Sequence, residues 1–320
     1  MRTVLVTGGA GFIGSHIVRA LVSRGEYVRI VDDLSSGSFA NLQSVASRVE
    51  FLNGSVENME LMQRAAHGVD CIFHHAAMAS VPLSLERPLE SHHANVTGTF
   101  TVLEAARRER VRRVVFASSS SVYGNQQSLA KRESDPLTPL SPYAAAKLGG
   151  EHYCTAFHHA TGLETVCLRY FNVFGPNQDP ASHYAAVIPR FIVAVLSGKR
   201  PVIYGDGLQT RDFVYVEDVV QANLLAAASA EAVGKVFNIG RGSATTILEL
   251  LEFIQSETGP TKTDPDFQAG RAGDVRHSMA DITSARELFG FEPHFRLVDG
   301  LKRTIDYYRG QLHSESSGTR

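Results

Sequence analysis

The chain has 320 residues, of which 43% are hydrophobic and 20% are charged, and its formal net charge is −2. This composition is typical of a globular protein, long enough for one large domain with an extension or for two lobes. No basic block is present, which argues against nucleic acid or an anionic membrane as the main partner. Apolar runs stay below the roughly eighteen residues of a membrane span, and no secretion signal is predicted, because the sequence passes at once from a short apolar run into glycines.

The three cysteines, Cys71, Cys154 and Cys167, are odd in number and form no C-x-x-C pair. Two of them lie in apolar, strand-like runs, where buried thiols are expected. A reducing, cytoplasmic compartment is therefore predicted. The paired histidines at 74–75, 92–93 and 158–159 have no partner at zinc-site spacing, so no metal site is predicted.

Short runs rich in valine, isoleucine and phenylalanine alternate with longer helical stretches. The runs are nearly continuous in hydrophobicity, as in strands buried on both faces of a parallel sheet. The predicted strands are 3–7, 27–32, 49–54, 70–77, 112–119 and 163–170. The segments 88–110 and 143–161 have the length and alanine content of crossover helices. This alternation predicts an α/β fold with a doubly wound parallel sheet.

Beyond about Gly175 the pattern changes to loops punctuated by proline and glycine, with helices predicted near 184–197, 216–229 and 246–257. This change indicates a smaller carboxy-terminal α/β lobe that is interleaved with the first part of the chain. The polar end of the chain, 311–320, is expected to lack fixed structure.

The stretch "VLVTGGAGFIGSHIVRAL" places Gly8, Gly11 and Gly14 between the first strand and a helix. Such glycines allow a tight turn and let backbone amides approach a pyrophosphate at the helix amino terminus. About twenty residues later the second strand ends in Asp32, which is suited to the ribose hydroxyls of NAD and would repel the extra phosphate of NADP. NAD is therefore the predicted cofactor, although Arg29 nearby is a weak signal for NADP.

The stretch "RRVVFASSSSVYG" ends another predicted strand in a serine-rich turn, and open α/β sheets bind ligands at this edge. Some twenty-four residues later, "SPYAAAK" places Tyr143 and Lys147 four positions apart, on one face of a helix. A phenol with a pKa near 10 is a poor base at neutral pH. An adjacent ammonium group and a positive nicotinamide ring would favour the phenolate, so Tyr143 is predicted to be catalytic.

Together these motifs resemble the extended short-chain dehydrogenase/reductase family. The resemblance implies that Tyr143 is the acid/base, that Ser119 assists it, and that Lys147 holds the nicotinamide ribose. It also implies the following NAD-binding residues: Gly8, Gly11, Phe12, Ile13, Gly14, Asp32, Asp33, Gly37, Ser55, Val56, Ala76, Ala77, Asn95, Tyr143, Lys147 and Tyr170. The implied domains are a Rossmann-like NAD-binding domain over 1–174, to which a segment near 210–240 returns, and a nucleotide-sugar lobe mainly over 175–310.

Four later stretches, "LRYFNVFGPNQDP", "YAAVIPRF", "VIYGDGLQTRDFVYVEDVV" and "AGDVRHSMAD", resemble the UDP-hexose 4-epimerases. In that branch Asn172 would contact the sugar diphosphate, Ala186 and Val187 the uracil, and Tyr204 would stack beside the base. Arg211 and Arg271 would grip the diphosphate, and Asp274 the uridine ribose. The implied substrate-binding residues are Ser119, Ser121, Tyr143, Asn172, Ala186, Val187, Val202, Tyr204, Arg211, Arg271, Asp274 and Ser278.

The reaction implied by this resemblance is a transient oxidation. The phenolate of Tyr143 removes the proton of the sugar 4-hydroxyl while hydride passes to NAD, the 4-keto sugar turns over, and hydride returns to its other face. The cofactor is regenerated in each turnover, so NAD is expected to stay tightly bound. The resemblance also implies a homodimer built from the segments 90–110 and 143–161, although Phe100, Leu103 and Phe157 would serve equally well in the core of one subunit.

Three residues depart from the best-known galactose epimerases. Ser278 stands where a bulky tyrosine or a cysteine is usual, which leaves room for a substituent at C2 and favours N-acetylhexosamines. Ala79 replaces a lysine that is often found near the cofactor, as in that subgroup. Ser55 replaces an aspartate that commonly contacts adenine, and its hydroxyl can still form a hydrogen bond.

Several alternatives stay open at this stage. A 4,6-dehydratase or a decarboxylase on the same scaffold is disfavoured, because "SSSSVYG" offers no carboxylate to protonate a leaving hydroxyl. A UDP-glucuronate 4-epimerase has a similar serine turn and is harder to exclude. An ordinary dehydrogenase would need added cofactor, and a non-catalytic dinucleotide sensor would be expected to lack the Ser119, Tyr143 and Lys147 set.

Overall fold

The structure is a computed structural model. It describes residues 2–126, 128–180, 186–259, 263–270 and 275–317. Residues 314–317 are described by their backbone alone. None of the helices within these ranges is both long and apolar enough to cross a membrane.

The strands are β1 Thr3–Thr7, β2 Tyr27–Asp32, β3 Val49–Asn53, β4 Cys71–His74, β5 Arg113–Ser119, β6 Ala130–Lys131, β7 Glu164–Tyr170, β8 Asn172–Phe174, β9 Val202–Tyr204, β10 Thr210–Arg211, β11 Phe213–Tyr215, β12 Val236–Ile239, β13 Thr245–Thr246, β14 Asp266–Gln268 and β15 Met279–Ala280. The helices are α1 Phe12–Ser23, α2 Met59–Ala66, α3 Val81–Glu86, α4 Pro88–His92, α5 Gly98–Arg108, α6 Pro142–Thr161, α7 Val187–Leu196, α8 Val216–Ala228, α9 Ile247–Thr258, α10 Thr283–Phe289 and α11 Leu297–Ser317. Shorter helical turns are 3₁₀ at Phe39–Arg48 and Ser120–Tyr123 and π at His93–Thr97.

Seven strands form one parallel sheet in the order β12-β7-β5-β4-β1-β2-β3. The predicted doubly wound parallel sheet and its six predicted strands are confirmed. The strand order reverses between β1 and β4, where the chain returns from the outer strands to the centre. Ligands of open α/β sheets bind in the crevice outside the carboxyl ends of the strands at such a switch point.

The core has three parts. One apolar cluster packs α1 and α8 against one face of the sheet. A second packs α2, α5 and α6 against the other face. A third joins α7, α9 and α11 with the short strands β9 and β11, away from the main sheet. The chain therefore buries both faces of the sheet and adds a separate core beyond its carboxyl edge.

Two elements differ from the sequence analysis. The segment 88–110, predicted as one helix, is divided by the π turn His93–Thr97 into α4 and α5. The last helix, α11, continues through 311–317, where a polar tail without fixed structure was expected. The helices predicted near 216–229 and 246–257 are found as α8 and α9, and α7 begins at Val187 within the described residues.

Candidate active site

The turn between β1 and α1 is packed so closely that only glycine fits at two positions. A Cβ on Gly14 would lie 2.1 Å from the carbonyl oxygen of Gly8. Gly8 has φ +69°, and a Cβ there would lie 2.6 Å from the amide nitrogen of Ala76, at the end of β4. The turn thus brings the amino terminus of α1 directly over the sheet edge, where the free N–H groups of a helix favour an anion. This cradle fits the pyrophosphate of a dinucleotide.

Asp32 ends β2 beside this turn. Its carboxylate accepts hydrogen bonds from the N–H of Ala10 at 2.8 Å and of Leu34 at 2.9 Å. Burial raises the pKa of Asp32, and these two donors act in the opposite direction. Arg29 lies on the other face of β2, where it pairs with Glu50 at 2.7 Å. Arg29, which weakly suggested NADP, is thus held away from Asp32. The carboxylate at this strand end fits the ribose hydroxyls of NAD.

A hydrogen-bonded chain fixes the end of β4. Thr99 Oγ1 donates to the carbonyl of Asn95 at 2.6 Å, so it accepts from Nε2 of His74 at 3.0 Å. Nδ1 of His74 therefore accepts from Thr7 Oγ1 at 2.7 Å, and Thr7 Oγ1 in turn accepts from the N–H of Ala76 at 3.3 Å. Burial lowers the pKa of His74 well below its usual value. The ring is a neutral structural bridge, with both nitrogens used inside the protein.

Asn95 lies in the π turn, and its side chain holds the loop after β4. Its Oδ1 accepts from the N–H of Met78 at 2.9 Å, and its Nδ2 donates to the carbonyl of Met78 at 3.3 Å. Asn95 is 1% exposed. Isolated π turns occur frequently at functional sites. Here the turn aims a buried amide at the loop that carries Ala76 and Ala77, so Asn95 shapes this edge from behind.

His75 was not predicted as a site residue, yet it faces the same edge. Its ring stacks on Tyr170, with 5.9 Å between the ring centroids, and its Nε2 lies 2.9 Å from the Tyr170 hydroxyl. That hydroxyl donates to Oδ1 of Asn223 at 3.0 Å, so Nε2 of His75 carries the proton. Nδ1 of His75 is buried and has no protein partner among the described residues. Neighbouring histidines in the sequence were the only signal for this residue.

The other predicted cofactor residues follow the ends of the inner strands. Gly37 packs on Ala10, since a Cβ there would lie 2.9 Å from the carbonyl carbon of Ala10. Asp33 accepts from the N–H of Ser35, and the hydroxyl of Ser55 accepts from the N–H of Glu57. Phe12 and Ile13 begin α1, Val56 follows β3, and Ala77 follows β4. All of these positions lie at the carboxyl edge of the sheet.

Tyr143, Ser119 and Lys147 meet at the end of β5. Ser141 caps α6 by accepting from the N–H of Ala144 at 3.1 Å, which starts the helix with Tyr143 in its first turn. Ser119 lies close enough to the Tyr143 hydroxyl to influence its pKa. Lys147 is 4% exposed, and its Nζ lies 5.9 Å from the centroid of the Tyr143 ring. The structure thus brings together the three residues that the sequence analysis assigned to proton transfer.

Burial has the largest effect on the protonation of Tyr143 and Lys147. Burial raises the pKa of Tyr143, while the side chain of Ser119 acts in the opposite direction. The hydroxyl of Ser121 donates to Ser119 Oγ at 2.9 Å, which leaves the proton of Ser119 for Tyr143. Burial lowers the pKa of Lys147 to about 8. The lowering of the Tyr143 pKa that was expected from Lys147 is therefore opposed by burial in the chain itself.

A cavity of about 240 Å³ lies beside this edge, between the short strands and α7. It is lined by six of the predicted substrate residues, which are Asn172, Ala186, Val187, Val202, Tyr204 and Arg211. The guanidinium of Arg211 donates to the carbonyl of Thr210 at 2.8 Å. Apolar walls with a few polar groups are typical of small-molecule sites.

Ten lining residues of this cavity were missed by the sequence analysis, and among them are Gln178, Arg190, Gln209 and Ile247. The guanidinium of Arg190 lies over the ring of Tyr204, with Cζ 5.4 Å from the ring centroid. Arg190 follows Val187 by three positions, so it shares a face of α7 with a residue that was predicted, and this spacing was the available signal.

Ser278 lies next to the strand that carries Arg211. Its N–H donates to the carbonyl of Thr210 at 3.2 Å. The following residues form β15, which pairs with β6 shortly after the serine-rich turn. Two other predicted substrate residues, Arg271 and Asp274, lie outside the described residues.

Known proteins resemble this chain in both sequence and structure. The NAD dependent epimerase/dehydratase family matches residues 4–240. A UDP-glucose 4-epimerase from Mycolicibacterium smegmatis is 40% identical over 315 residues, which cover 97% of this chain and 99% of that protein. The crystal structure of a UDP-glucose 4-epimerase with UDP-glucose, from Thermotoga maritima, has a TM-score of 0.92 at 41% identity and covers 97% of this chain and 99% of its own.

A UDP-N-acetylglucosamine 4-epimerase from Methanobrevibacter ruminantium, in complex with UDP-N-acetylmuramic acid, has a TM-score of 0.93 at 40% identity. It covers 97% of this chain and 99% of its own. The resemblance drawn from the sequence and the expectation of an NAD-dependent enzyme are confirmed. The chain belongs to the NAD-dependent epimerase/dehydratase family.

Proposed function

We propose that the chain is a UDP-hexose 4-epimerase, an isomerase that interconverts UDP-N-acetylglucosamine with UDP-N-acetylgalactosamine, and UDP-glucose with UDP-galactose. One observation carries the proposal. Tyr143, close to both Ser119 and Lys147, lies at the sheet edge that also holds the glycine turn. Beside it lies a cavity lined by six residues assigned to a nucleotide sugar.

The chain's residues divide the acid/base work. Tyr143 accepts the proton of the sugar 4-hydroxyl and later returns it to the same oxygen. Ser119 donates a hydrogen bond that favours the phenolate, and Lys147 adds a positive charge at the ring. Bound NAD supplies the hydride acceptor and donor, and its positive ring also favours the phenolate. Gly8 and Gly14 would hold its pyrophosphate and Asp32 its adenosine ribose.

The nucleotide would lie in the cavity, with Tyr204 beside the uracil and Arg211 on the diphosphate. A guanidinium bonds phosphate oxygens in pairs, so it suits a diphosphate better than a neutral group. Asn172 would reach the diphosphate from β8, and the backbone at Ala186 and Val187 would read the base. Arg271 and Asp274 complete this proposal from the sequence resemblance alone.

The preferred sugar is inferred from Ser278. Its small side chain leaves volume for an acetamido group at C2, which supports an N-acetylhexosamine as substrate. The 40% identical protein named UDP-N-acetylglucosamine 4-epimerase supports the same choice. The serine-rich turn, "SSSSVYG", carries no carboxylate, which argues against a dehydratase.

The test uses the purified protein without added NAD. The protein is incubated with UDP-N-acetylglucosamine, UDP-glucose or UDP-glucuronate, and proton NMR follows the anomeric and H4 signals. We expect signals of UDP-N-acetylgalactosamine and, at a comparable or lower rate, of UDP-galactose. A parallel sample with added NAD should turn over no faster, because the bound cofactor is regenerated.

Each other outcome replaces the proposal with a named alternative. Turnover of UDP-glucuronate alone would indicate a uronate epimerase. Accumulation of NADH after addition of NAD would indicate a dehydrogenase, and a 4-keto-6-deoxy product would indicate a dehydratase.

We also infer a homodimer that uses the predicted segments 90–110 and 143–161. Leu103 is 0% exposed and belongs to the core, whereas Phe100 is 41% exposed. Phe100 meets Tyr153 edge to face on α5 and α6, and Tyr153 is 38% exposed. Light scattering coupled to gel filtration should give twice the chain mass of 34.8 kDa, and Phe100→Asp should shift this mass towards the monomer.

A cytoplasmic location is inferred from the cysteines. Cys71, Cys154 and Cys167 are free and buried, which suits a reducing compartment. Cell fractionation with an antibody to the protein would test this location.

A further inference from the structure

The face of α6 that carries Tyr143 and Lys147 has a third titratable residue, Glu151. Tyr143, Lys147 and Glu151 follow one another at intervals of four, so they lie along one face of the helix. Glu151 is 3% exposed. A buried carboxylate is costly unless it is paired and hydrogen bonded. Its partners therefore indicate what the residue does.

The carboxylate of Glu151 is satisfied from two strands. Arg169 of β7 donates from Nε to Oε1 at 2.9 Å and from Nη2 to Oε2 at 2.8 Å, a bidentate pair. Ser118 of β5 donates its hydroxyl to Oε1. Arg169 also donates to the hydroxyl of Tyr123 at 2.8 Å. The ion pair thus ties α6 to β7, and the hydrogen bond from Ser118 ties α6 to β5, one residue before Ser119.

The groups around Lys147 come from four elements. The titratable or charged ones are Tyr143, Glu151 and Cys154 on α6, His74 and His75 at the end of β4, and, one contact further away on β7, Cys167 beside Cys154 and Arg169 paired with Glu151. From β5, the carbonyl of Ala117 accepts from Nζ at 2.8 Å, and the ring of Phe116 lies 5.0 Å from it. Burial keeps some of these titratable groups neutral.

Burial lowers the pKa of His75 to about 3 and that of His74 well below its usual range. A hydrogen bond between the Cys167 thiol and Cys154, together with burial, raises the pKa of Cys167. The charged groups that remain are Glu151, which acts on Lys147 directly, and behind it Arg169, the ion-pair partner of Glu151. Along this buried row the signs alternate, with an ammonium, a carboxylate and a guanidinium.

We propose that Glu151 is a positioning residue that keeps Lys147 protonated and holds α6 at the end of β5, so that Lys147 can act on Tyr143 and the nicotinamide ribose. This inference rests on the proposed function, since it assigns Glu151 a role through Lys147 and none in contact with the sugar.

Two opposing effects set the pKa of Lys147. Burial removes water from the ammonium and lowers the pKa of Lys147, while Cys154 and Glu151 act in the opposite direction. Of these two, Glu151 is the one held in a bidentate pair with a guanidinium. Replacing Glu151 by a neutral residue would remove a carboxylate that favours the ammonium and would leave Arg169 without its ion-pair partner, and like charges in a buried site disfavour protonation. Replacing Arg169 instead would leave an unbalanced carboxylate, which favours protonation of Lys147.

The test measures the protonation of Lys147 directly in the NAD-containing protein. The chain has only six lysines, so lysine labelled with carbon-13 at Cε gives a countable set of NMR signals that move with pH. The Lys147 signal is assigned by its loss in Lys147→Arg. We expect Glu151→Gln to lower the pKa of Lys147 by about one unit, Arg169→Gln to raise it, and the double variant to return it close to the wild-type value.

A merely structural pair would give a different pattern. Both single variants would then lose stability and would move the Lys147 signal in the same direction or not at all, which would overturn the proposal. Ser118→Ala removes one hydrogen bond without a charge and should leave the Lys147 pKa unchanged. Cys154→Ala should also leave it unchanged, and a shift there as large as that of Glu151→Gln would assign the effect to the thiol and overturn the proposal.

If Glu151→Gln does not fold, Glu151→Asp carries the test. It keeps the charge but withdraws the carboxylate by one methylene, so the Lys147 pKa should fall by a fraction of a unit, and an unchanged value would overturn the proposal. The pH profile of turnover should move in the same direction in each variant. A wild type without epimerase activity would refute the proposed function, whereas an active wild type with an unshifted Lys147 in Glu151→Gln would refute this inference alone.

Discussion

Tyr143 is the residue on which the proposed chemistry depends. Tyr143→Phe removes the hydroxyl to which the proposal assigns the 4-hydroxyl proton, so turnover should fall by about 10²–10⁴-fold. The protein should keep its bound NAD, because the phenol oxygen is not needed to fill the glycine cradle. Stopped assays of UDP-N-acetylglucosamine epimerisation, with NAD content measured after denaturation, give both quantities.

Tyr27→Phe is the matched control for this prediction. Tyr27 is 39% exposed and begins β2 at the amino edge of the sheet, away from the site. The same loss of one hydroxyl should leave turnover unchanged. Equal losses in both variants would show that the effect of Tyr143→Phe is not one of proton transfer.

Ser278 is expected to set the sugar preference. Ser278→Tyr should reduce kcat/KM for UDP-N-acetylglucosamine by about 10-fold or more relative to UDP-glucose, because a bulky side chain takes the volume that the acetamido group needs. Ser278→Ala keeps that volume and should keep the wild-type ratio. A ratio that is the same in all three proteins would mean that another wall of the site recognises C2.

At the level of residues, the motifs with a fixed spacing were predictable and the packed neighbours were not. Tyr143 and Lys147 stand out because the helix repeat places them together. Arg190 could not be assigned, since its position over Tyr204 depends on how α7 meets β9. Asn95 lies near the cofactor edge, but its bonds to Met78 depend on a loop that is remote in sequence.

The packing of α6 on β5 controls where the catalytic pair lies. A Cβ on Gly150 would lie 2.4 Å from Cζ of Phe116, a buried ring of β5. Gly150→Ala should therefore push α6 away from the sheet, at a cost of about 1–3 kcal/mol in the free energy of unfolding. Turnover should fall as well, because Lys147 moves with the helix. Urea unfolding and the epimerase assay measure the two effects.

Substitution of Gly149, at the preceding position, is expected to have the opposite effect on stability. A Cβ there meets no atom within 4 Å, so Gly149→Ala should stabilise the helix by up to about 1 kcal/mol, as alanine does relative to glycine in a helix interior. Turnover should stay at the wild-type level. A similar loss of stability in both variants would mean that backbone freedom, and not contact with Phe116, is what both glycines provide.

Elements were predictable where hydrophobic runs were long. The six predicted strands are apolar and nearly continuous, whereas β12 has four residues with Asn238 in its middle. That amide is buried and hydrogen bonded, since it accepts from the hydroxyl of Tyr123 at 2.7 Å and donates to the carbonyl of Lys131 at 2.8 Å. The π turn was missed because it leaves the apolar spacing of the helix almost intact.

At the scale of the whole molecule, His16 joins α1 to the segment after β8. Its Nε2 donates to the carbonyl of Pro176 at 3.0 Å, and burial, with a smaller contribution from Arg19, lowers the pKa of His16 to about 4. The folded pKa lies below the usual 6.5, so the unfolded chain takes up the proton first. This contribution to stability is complete above about pH 6.5 and is lost as the pH falls towards 4.

The expected slope for His16 is at most about 1.4 kcal/mol per pH unit. His16→Gln can keep the bond to Pro176 but does not titrate, so its free energy of unfolding should fall less than that of the wild type between pH 7 and pH 5. His152→Gln changes an exposed histidine of α6 and should follow the wild-type curve. Parallel curves for all three proteins, measured by urea unfolding at fixed NAD concentration, would contradict this account of His16.

The order of the strands along the chain has a consequence for biosynthesis. Six strands of the main sheet, and with them the whole cofactor edge from the glycine turn to Tyr170, come from the first 170 residues. The cavity needs residues from Asn172 to Ile247, and Ser278 is added later still. Domains generally fold as units while the chain emerges from the ribosome. The dinucleotide edge of the sheet therefore emerges from the ribosome before the cavity residues from Asn172 to Ile247.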